Sequence, residues 1–348
     1  MHNPGNDDKV YTGDADYDPV FGQMMLSMTL APAVHAAAKL RVADVIDDKP
    51  VHIRDLAAKL GVHERSLDRL LRALAAFGVF HTDGDDRYGH SRTSRVLRAN
   101  EPNTMLYLLL MSASEWNIRS WQGLADTVRT GKPAFRRIYG KDIFDYFATD
   151  DPESGERFHK AMSVLNGTTI DAIAEELELP GAKRVADIGG GQGTLLSAVL
   201  RRNPSLHGIL FDLEQAMADL DASLSGEFAD RCTVVAGDAR RHVPVSADVY
   251  ILKHVLHMWG DDTAIEVLRN IAAVAHRGAR VIVAEQTISD DPSAAYTLLM
   301  DLQMLATMYG GERTEEQFAE LFDQAGLQYR GKTPTRSAVV LLEGVVPL

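Results

Sequence analysis

Two histidines stand three residues apart in Leu252-Lys253-His254-Val255-Leu256-His257-Met258-Trp259, directly after a run whose composition predicts a strand. Imidazole has an ordinary pKa of about 6.5, so a histidine just past a strand end suits proton removal near neutrality. His257 is the candidate general base, and His254 reads more simply as a packed side chain. Glu285 ends the next predicted strand, which neighbours the first in a doubly wound sheet. From there its carboxylate can reach the far ring nitrogen of His257, fix the tautomer and support the imidazolium. Glu312, in Gly310-Gly311-Glu312-Arg313-Thr314, is a second candidate for that role. It also suits the start of the following helix, where the macrodipole favours an acid, and spacing alone leaves the two readings balanced. No third His, Asp or Glu sits at ligand spacing beside the histidines, so no metal is expected.

A second constellation lies at three successive predicted strand ends. The first is Val185-Ala186-Asp187-Ile188-Gly189-Gly190-Gly191-Gln192-Gly193, leading into a helix near Thr194. Glycines such as Gly189 and Gly191 let the backbone pass close under a ligand. An acid at Asp187 would repel a dinucleotide pyrophosphate but suits a cationic ligand such as S-adenosylmethionine; a capping role for the turn is the plainer alternative. The lysine of a P-loop is missing from this turn. Asp212 ends the second strand 19 residues after Gly193, where an acid can take both ribose hydroxyls of either NAD or an S-adenosyl ligand. Asp238 follows the third strand and is placed to accept from an adenine amino group. Each aspartate alone reads as a turn residue, but three in order are hard to ascribe to chance.

These side chains need a sheet to carry them. After Pro180-Gly181, short β-rich runs (RVADI, HGILFDL, CTVVAGD, ADVYILK, ARVIVAEQ) alternate with helical stretches, and a final pair follows around LQYRG and AVVLLEG. That order predicts an α/β doubly wound, Rossmann-like sheet with ligands beyond the carboxyl ends of its strands. Upstream, helix, Gly61 turn, second helix and a hairpin at Gly84 outline a winged helix. Its second helix interleaves Arg65, Arg69 and Arg72 with Glu64 and Asp68, the pattern of a solvated face, so no nucleic acid is expected there. Between Phe21 and Val45 a Met-, Leu- and Ala-rich stretch is apolar nearly all round, which predicts burial in its own core ahead of burial against a second copy.

Composition sets the outer limits. The 348 residues carry 36 Lys+Arg against 49 Asp+Glu, a net charge of -13, with 45% hydrophobic and 24% charged residues, which excludes collagen-like, coiled-coil and disordered classes. The acidic balance argues against a polyanionic partner, and one cysteine, Cys232, permits no internal disulfide. The first twenty residues lack the basic start and apolar core of a secretory signal, and the run Met105 to Met111 is far short of a membrane span, so a cytoplasmic protein with no membrane partner is expected.

As an ordered set, VADIGGGQG, FDLE, GDAR, LKHVLHMW, VAEQT and GGERT resemble the small-molecule O-methyltransferases typified by plant caffeic acid and bacterial antibiotic-tailoring enzymes, over nearly the whole chain. The resemblance implies a class I methyltransferase sheet with an N-terminal all-helical, winged-helix-like dimerisation domain, an intertwined homodimer, and S-adenosylmethionine as cofactor. It implies a flexible tail over 1–15, dimerisation over 16–100, a helical linker and substrate-pocket region over 101–180, and a catalytic domain over 181–348. By the same resemblance Asp187, Gly189, Gly191, Asp212, Asp238, Ala239, Lys253 and Trp259 belong to the cofactor site. His257 would deprotonate an acceptor hydroxyl, flanked by Glu285 and Glu312. Phe158, Met162, Asn166, Met258, Met304 and Met308 are the expected walls for a small aromatic substrate, although methionines at helical spacing also suit plain core. Three positions depart from the family pattern: Met258 replaces an aspartate, Ala239 replaces a large residue that packs on adenine, and Glu214 replaces a proline. The rivals are a winged-helix ligand-sensing regulator, an NAD-dependent oxidoreductase, and a family member drifted to other chemistry.

Overall fold

A computed structural model describes residues 18–167, 169–217, 220–289 and 294–348, so the expected tail over 1–15 lies outside the described residues. The chain divides into two compact units. One holds the described residues up to Ser114 together with Arg157–Val164; the other holds Glu115–Glu156 and Leu165–Leu348.

In the first unit, helices Ile53–Leu60 and Glu64–Ala76 meet at Gly61, which caps the first of them at φ 67°. A three-stranded sheet of β1 (Val51–His52), β2 (Phe80–Gly84) and β3 (Arg87–His90), in the order β1-β3-β2, completes the winged helix. Its tight turn is made by Asp85 and Asp86, at φ 49° and 53°, a left-handed pair whose twist matches the flanking strands. Asp68 accepts from the Tyr88 hydroxyl at 2.7 Å, so this acid ties the second helix to the wing.

The apolar stretch after Phe21 behaves differently from its expected burial. Helix Pro19–Lys39 buries only Ala37 and Ala38 fully, and it ends where Arg41 turns left-handed before a short helix Val42–Val45. Val20, Phe21, Met24, Met25 and Met28 are 50–69% exposed on the single chain. The own-core reading is therefore corrected for this end of the helix. Periodicity reported an apolar surface correctly but could not say whose surface covers it.

In the second unit a seven-stranded sheet runs β6-β5-β4-β7-β8-β10-β9. Its members are β4 (Arg184–Ile188), β5 (His207–Asp212), β6 (Cys232–Ala236), β7 (Val249–Lys253), β8 (Arg280–Glu285), β9 (Gln328–Pro334) and β10 (Val340–Val345). Strands β4 to β8 are parallel, while β10 inserts antiparallel beside β8 and pairs with β9. Between their end residues the central strands β4, β7 and β8 are apolar apart from Asp187, because both faces are covered. Tyr250 and Leu252 pack with Leu268 of helix Asp261–Val274 and Phe322 of helix Glu315–Gln324. Val249 and Ile251 pack with Leu196 and Val199 of helix Thr194–Arg202. Strand order reverses between β4 and β7, so the crevice beyond Ile188 and Lys253 is where the fold leaves room for a ligand.

Candidate active site

The glycine turn after β4 is shaped by close approach. Gly189 sits at φ 71°, and a Cβ there would come within 2.7 Å of Val255 Cγ2, so only glycine lets the ends of β4 and β7 meet. Gly191, at φ 56°, faces open space and donates its N–H to Asp212 Oδ2 at 2.7 Å. Asp212 Oδ1 accepts from the Leu213 amide. The end of β5 is thus tied to the turn after β4, and the two acids of neighbouring strands line one crevice.

Asp187 is 1% exposed, and among the described residues neither of its carboxylate oxygens has a hydrogen-bond partner. Burial pushes its pKa up to about 7. Asp212 adds to the rise, while the Lys253 ammonium opposes it, as does the Leu196 amide from outside good hydrogen-bonding geometry. Lys253, at the end of β7, is pulled down by burial against the attraction of Asp187 and Glu285. A buried carboxylate with orphaned oxygens beside an open glycine turn fits a ligand that brings positive charge and N–H or O–H donors. S-adenosylmethionine, with its ammonium and sulfonium, meets that requirement.

Asp238 lies at the same edge but is already engaged. Burial would raise its pKa, yet the bidentate Arg240 guanidinium, at 2.9 Å to each oxygen, holds it below the usual carboxylate range. Arg240 also lies 5.9 Å from the Trp259 ring centroid. Ala239 turns inward, 8% exposed, and its carbonyl accepts from Asn270. In the sequence Arg240 is only the last residue of the GDAR motif, with no role assigned to it.

The histidines sit on the turn that follows β7. His254 takes the left-handed φ of 54°, and Leu256–Met258 then form one turn of 3-10 helix. Glu285, fully buried at the end of β8, accepts the amides of Val255, Leu256 and His257 on one oxygen, at 3.0, 3.0 and 3.3 Å. Its other oxygen lies 3.3 Å from His254 Nδ1 and 3.8 Å from His257 Nδ1. The direct ring partner of His257 is Glu312, with Oε1 2.9 Å from Nδ1. The neutral ring then donates from Nδ1 to Glu312 and leaves the Nε2 lone pair as the basic site. Burial depresses the His257 pKa, but Glu285 and Glu312 outweigh it and raise the pKa above its ordinary value. Burial opposes ionisation of Glu285 too, yet the two histidines, with the His257 amide adding to them, bring its pKa down to about 2. Ligand atoms of His254, His257 and Glu285 lie within 4.8 Å of one another, so the third group that spacing did not supply comes from the next strand. His257 Nδ1 is engaged by Glu312, and His254 Nδ1 faces Glu285.

The expected substrate walls fall in both units. Phe158 and Met162 are half-buried on the part of helix Pro152–Gly167 that belongs to the first unit, and Asn166 is on the same helix. Met258 and Trp259 follow His257 and pack on the sheet core. Met304 lies on helix Ala295–Thr307, with Met308 just past its end. On that helix Gln303 donates to Asn117 and accepts from Trp121 Nε1, a polar network that the sequence did not disclose.

An open sheet with a glycine turn, strand-end acids and a histidine beyond the fourth parallel strand defines a class I methyltransferase domain, here behind an N-terminal winged-helix unit. The O-methyltransferase domain profile matches residues 121–328, and the O-methyltransferase dimerisation domain profile matches residues 21–100. The chain belongs to the O-methyltransferase family and is an S-adenosylmethionine-dependent enzyme. It is 35% identical to the mitomycin biosynthesis 6-O-methyltransferase of Streptomyces lavendulae over 306 residues, 87% of each chain. The solved mitomycin 7-O-methyltransferase MmcR superposes with a TM-score of 0.88 at 34% identity, covering 94% of this chain and 97% of that one. The neocarzinostatin O-methyltransferase NcsB1, solved with S-adenosylmethionine and 2-hydroxy-5-methyl naphthoic acid, superposes with a TM-score of 0.81 at 32% identity, covering 95% and 100%.

Proposed function

We propose that this enzyme methylates a phenolic hydroxyl of a small aromatic secondary metabolite, with His257 as general base. The observation that carries the reading is the His257 ring itself, held through Nδ1 by Glu312 so that Nε2 is left to take a proton. A phenol has a pKa near 10, so about one molecule in a thousand is ionised at neutral pH, and a positioned base addresses that deficit. When bound, the cofactor supplies a methyl group activated by a sulfonium. The residues that would hold it are Asp187, the Gly189–Gly193 turn, Asp212, Lys253 and Trp259, with Asp238 acting through its Arg240 pair. The aromatic acceptor is supported by the naphthoic acid bound to NcsB1 and by the mitomycin relatives.

Incubation with methyl-labelled S-adenosylmethionine and a panel of hydroxynaphthoates and polycyclic phenols tests the reading. The expected product carries label as an aryl methyl ether. Label on nitrogen or carboxylate, or an oxidised product without label, would overturn it and favour a family member with drifted chemistry.

The exposed apolar end of helix Pro19–Lys39, within the segment matched by the dimerisation profile, supports a homodimer through these helices. Replacing Met24 and Met28 with glutamate is expected to convert the wild-type dimer to monomer in sedimentation velocity. A double variant that sediments as wild type would remove this helix from the interface. Among the described residues no helix is long and apolar enough to cross a membrane.

A further inference from the structure

We propose that Arg313 is a positioning residue: its guanidinium holds the backbone of the catalytic turn so that the His257 ring stays on Glu312. The inference rests on the reading of His257 as base for its catalytic meaning, though not for its geometry.

Arg313 is 5% exposed, and each of its three guanidinium nitrogens has a hydrogen-bond acceptor. One terminal nitrogen donates to the Leu256 carbonyl at 3.0 Å, the other to the Trp259 carbonyl at 2.7 Å, and Nε donates to Asp261 at 2.9 Å. The two carbonyls bracket His257 and Met258. Glu285 takes the amides of the same turn from the sheet side, so the turn is gripped on its donors by an acid and on its acceptors by a base. Asp261 is 72% exposed at its side chain, so the ion pair contributes little and the two carbonyl bonds matter more.

Arg313 is in turn fixed through its own backbone. Its carbonyl accepts from Ile288 at 2.9 Å, and the residue bridges to Thr287, two positions beyond Glu285. Because Glu312 precedes it directly, one dipeptide holds both the His257 ring and the carbonyls on either side of it, those of Leu256 and Trp259. A lysine ammonium cannot span two carbonyls and a carboxylate with the same planar geometry.

The groups that face the His257 ring are Glu312 and Glu285, which raise its pKa, and Lys253, which lowers it; the His254 ring centroid lies 5.3 Å away. If the turn slackens, the ring leaves Glu312 and its pKa falls, because burial then meets less opposition.

Arg313→Lys and Arg313→Gln, each checked by thermal melting, are compared with wild type in three measurements. These are kcat against pH, calorimetric affinity for S-adenosylhomocysteine, and NMR titration of 13C-labelled histidine in the ligand-free protein, with His257→Asn to assign the resonance. The expected result is a kcat lower by roughly 10–100-fold, product affinity within about threefold, and a His257 ring pKa and acidic limb both moved to lower pH. A ring pKa unchanged in the folded variants overturns the positioning role. If Arg313→Gln does not fold, the lysine variant decides on the same criterion. Should His257→Asn keep wild-type kcat, the base reading fails, whereas the ring titration still judges Arg313 independently.

Discussion

Replacing His257 with alanine is expected to lower kcat by about 100- to 10,000-fold while changing S-adenosylhomocysteine affinity by less than about threefold. The ring stands beyond β7, apart from the glycine turn, so its loss removes proton transfer and leaves Asp187, Asp212 and Lys253 in place. Turnover at the wild-type rate with unchanged product affinity would dismiss the histidine as base. The pH profile carries the same test with a defined sign. On the proposed mechanism the neutral ring is the active form, and its pKa is raised by Glu285 and Glu312, so kcat/KM should increase with pH through a value above about 6.5. Glu312→Gln keeps an acceptor within reach of Nδ1 but removes a charge, so the acidic limb should move to lower pH and the maximal rate should fall.

Glu285→Ala is expected to destabilise the fold by about 3–5 kcal/mol, because it leaves a cluster of buried amides without an acceptor and a histidine pair without its counter-charge. For a chain of this size that corresponds to a melting-temperature loss on the order of 10 °C. Glu285→Gln retains a carbonyl oxygen for the amides of Val255, Leu256 and His257 and should recover most of the stability, although the His257 ring would still lose part of its elevated pKa. Equal melting of the alanine variant and wild type would show that the turn does not depend on this acid. Folded Glu285 has its pKa lowered to about 2, below its unfolded value. Its contribution is therefore complete above the unfolded carboxyl pKa of about 4.3 and is lost as pH falls toward 2.

The sheet was legible because parallel strands covered on both faces must be short apolar runs, and because such runs alternated with amphipathic helices. The positions of Asp187, Asp212 and Asp238 were legible for a related reason: an acid within or just past the last residues of an apolar strand has to lie near its carboxyl end. The division of labour between Glu285 and Glu312 was not, since spacing cannot tell an acid that bonds a ring from one that bonds the amides beneath it. The roles of Arg240 and Arg313, each read only as part of a motif, were not legible because an arginine in a polar stretch looks solvated in one dimension. In three dimensions Arg240 is clamped on Asp238 and Arg313 is inside the protein. The first helix shows the opposite limit, since its apolar residues were plain to see while the surface that receives them was not.

The catalytic turn has few bonds of its own. Its amides are taken by an acid 28 to 30 residues later, and its ring and carbonyls by a dipeptide 54 to 57 residues later. A chain emerging from the ribosome therefore completes β4, β5 and β7, with the glycine turn proposed to hold the cofactor, before it has made the partners of the proposed base. On the proposed reading, competence to bind and competence to react are acquired in separate stages of synthesis, and the second waits until the Glu312-Arg313 segment bonds to the turn after β7. Long-range contacts of this kind are entropically costly to form early, so the reactive centre is among the last features the folding chain can complete.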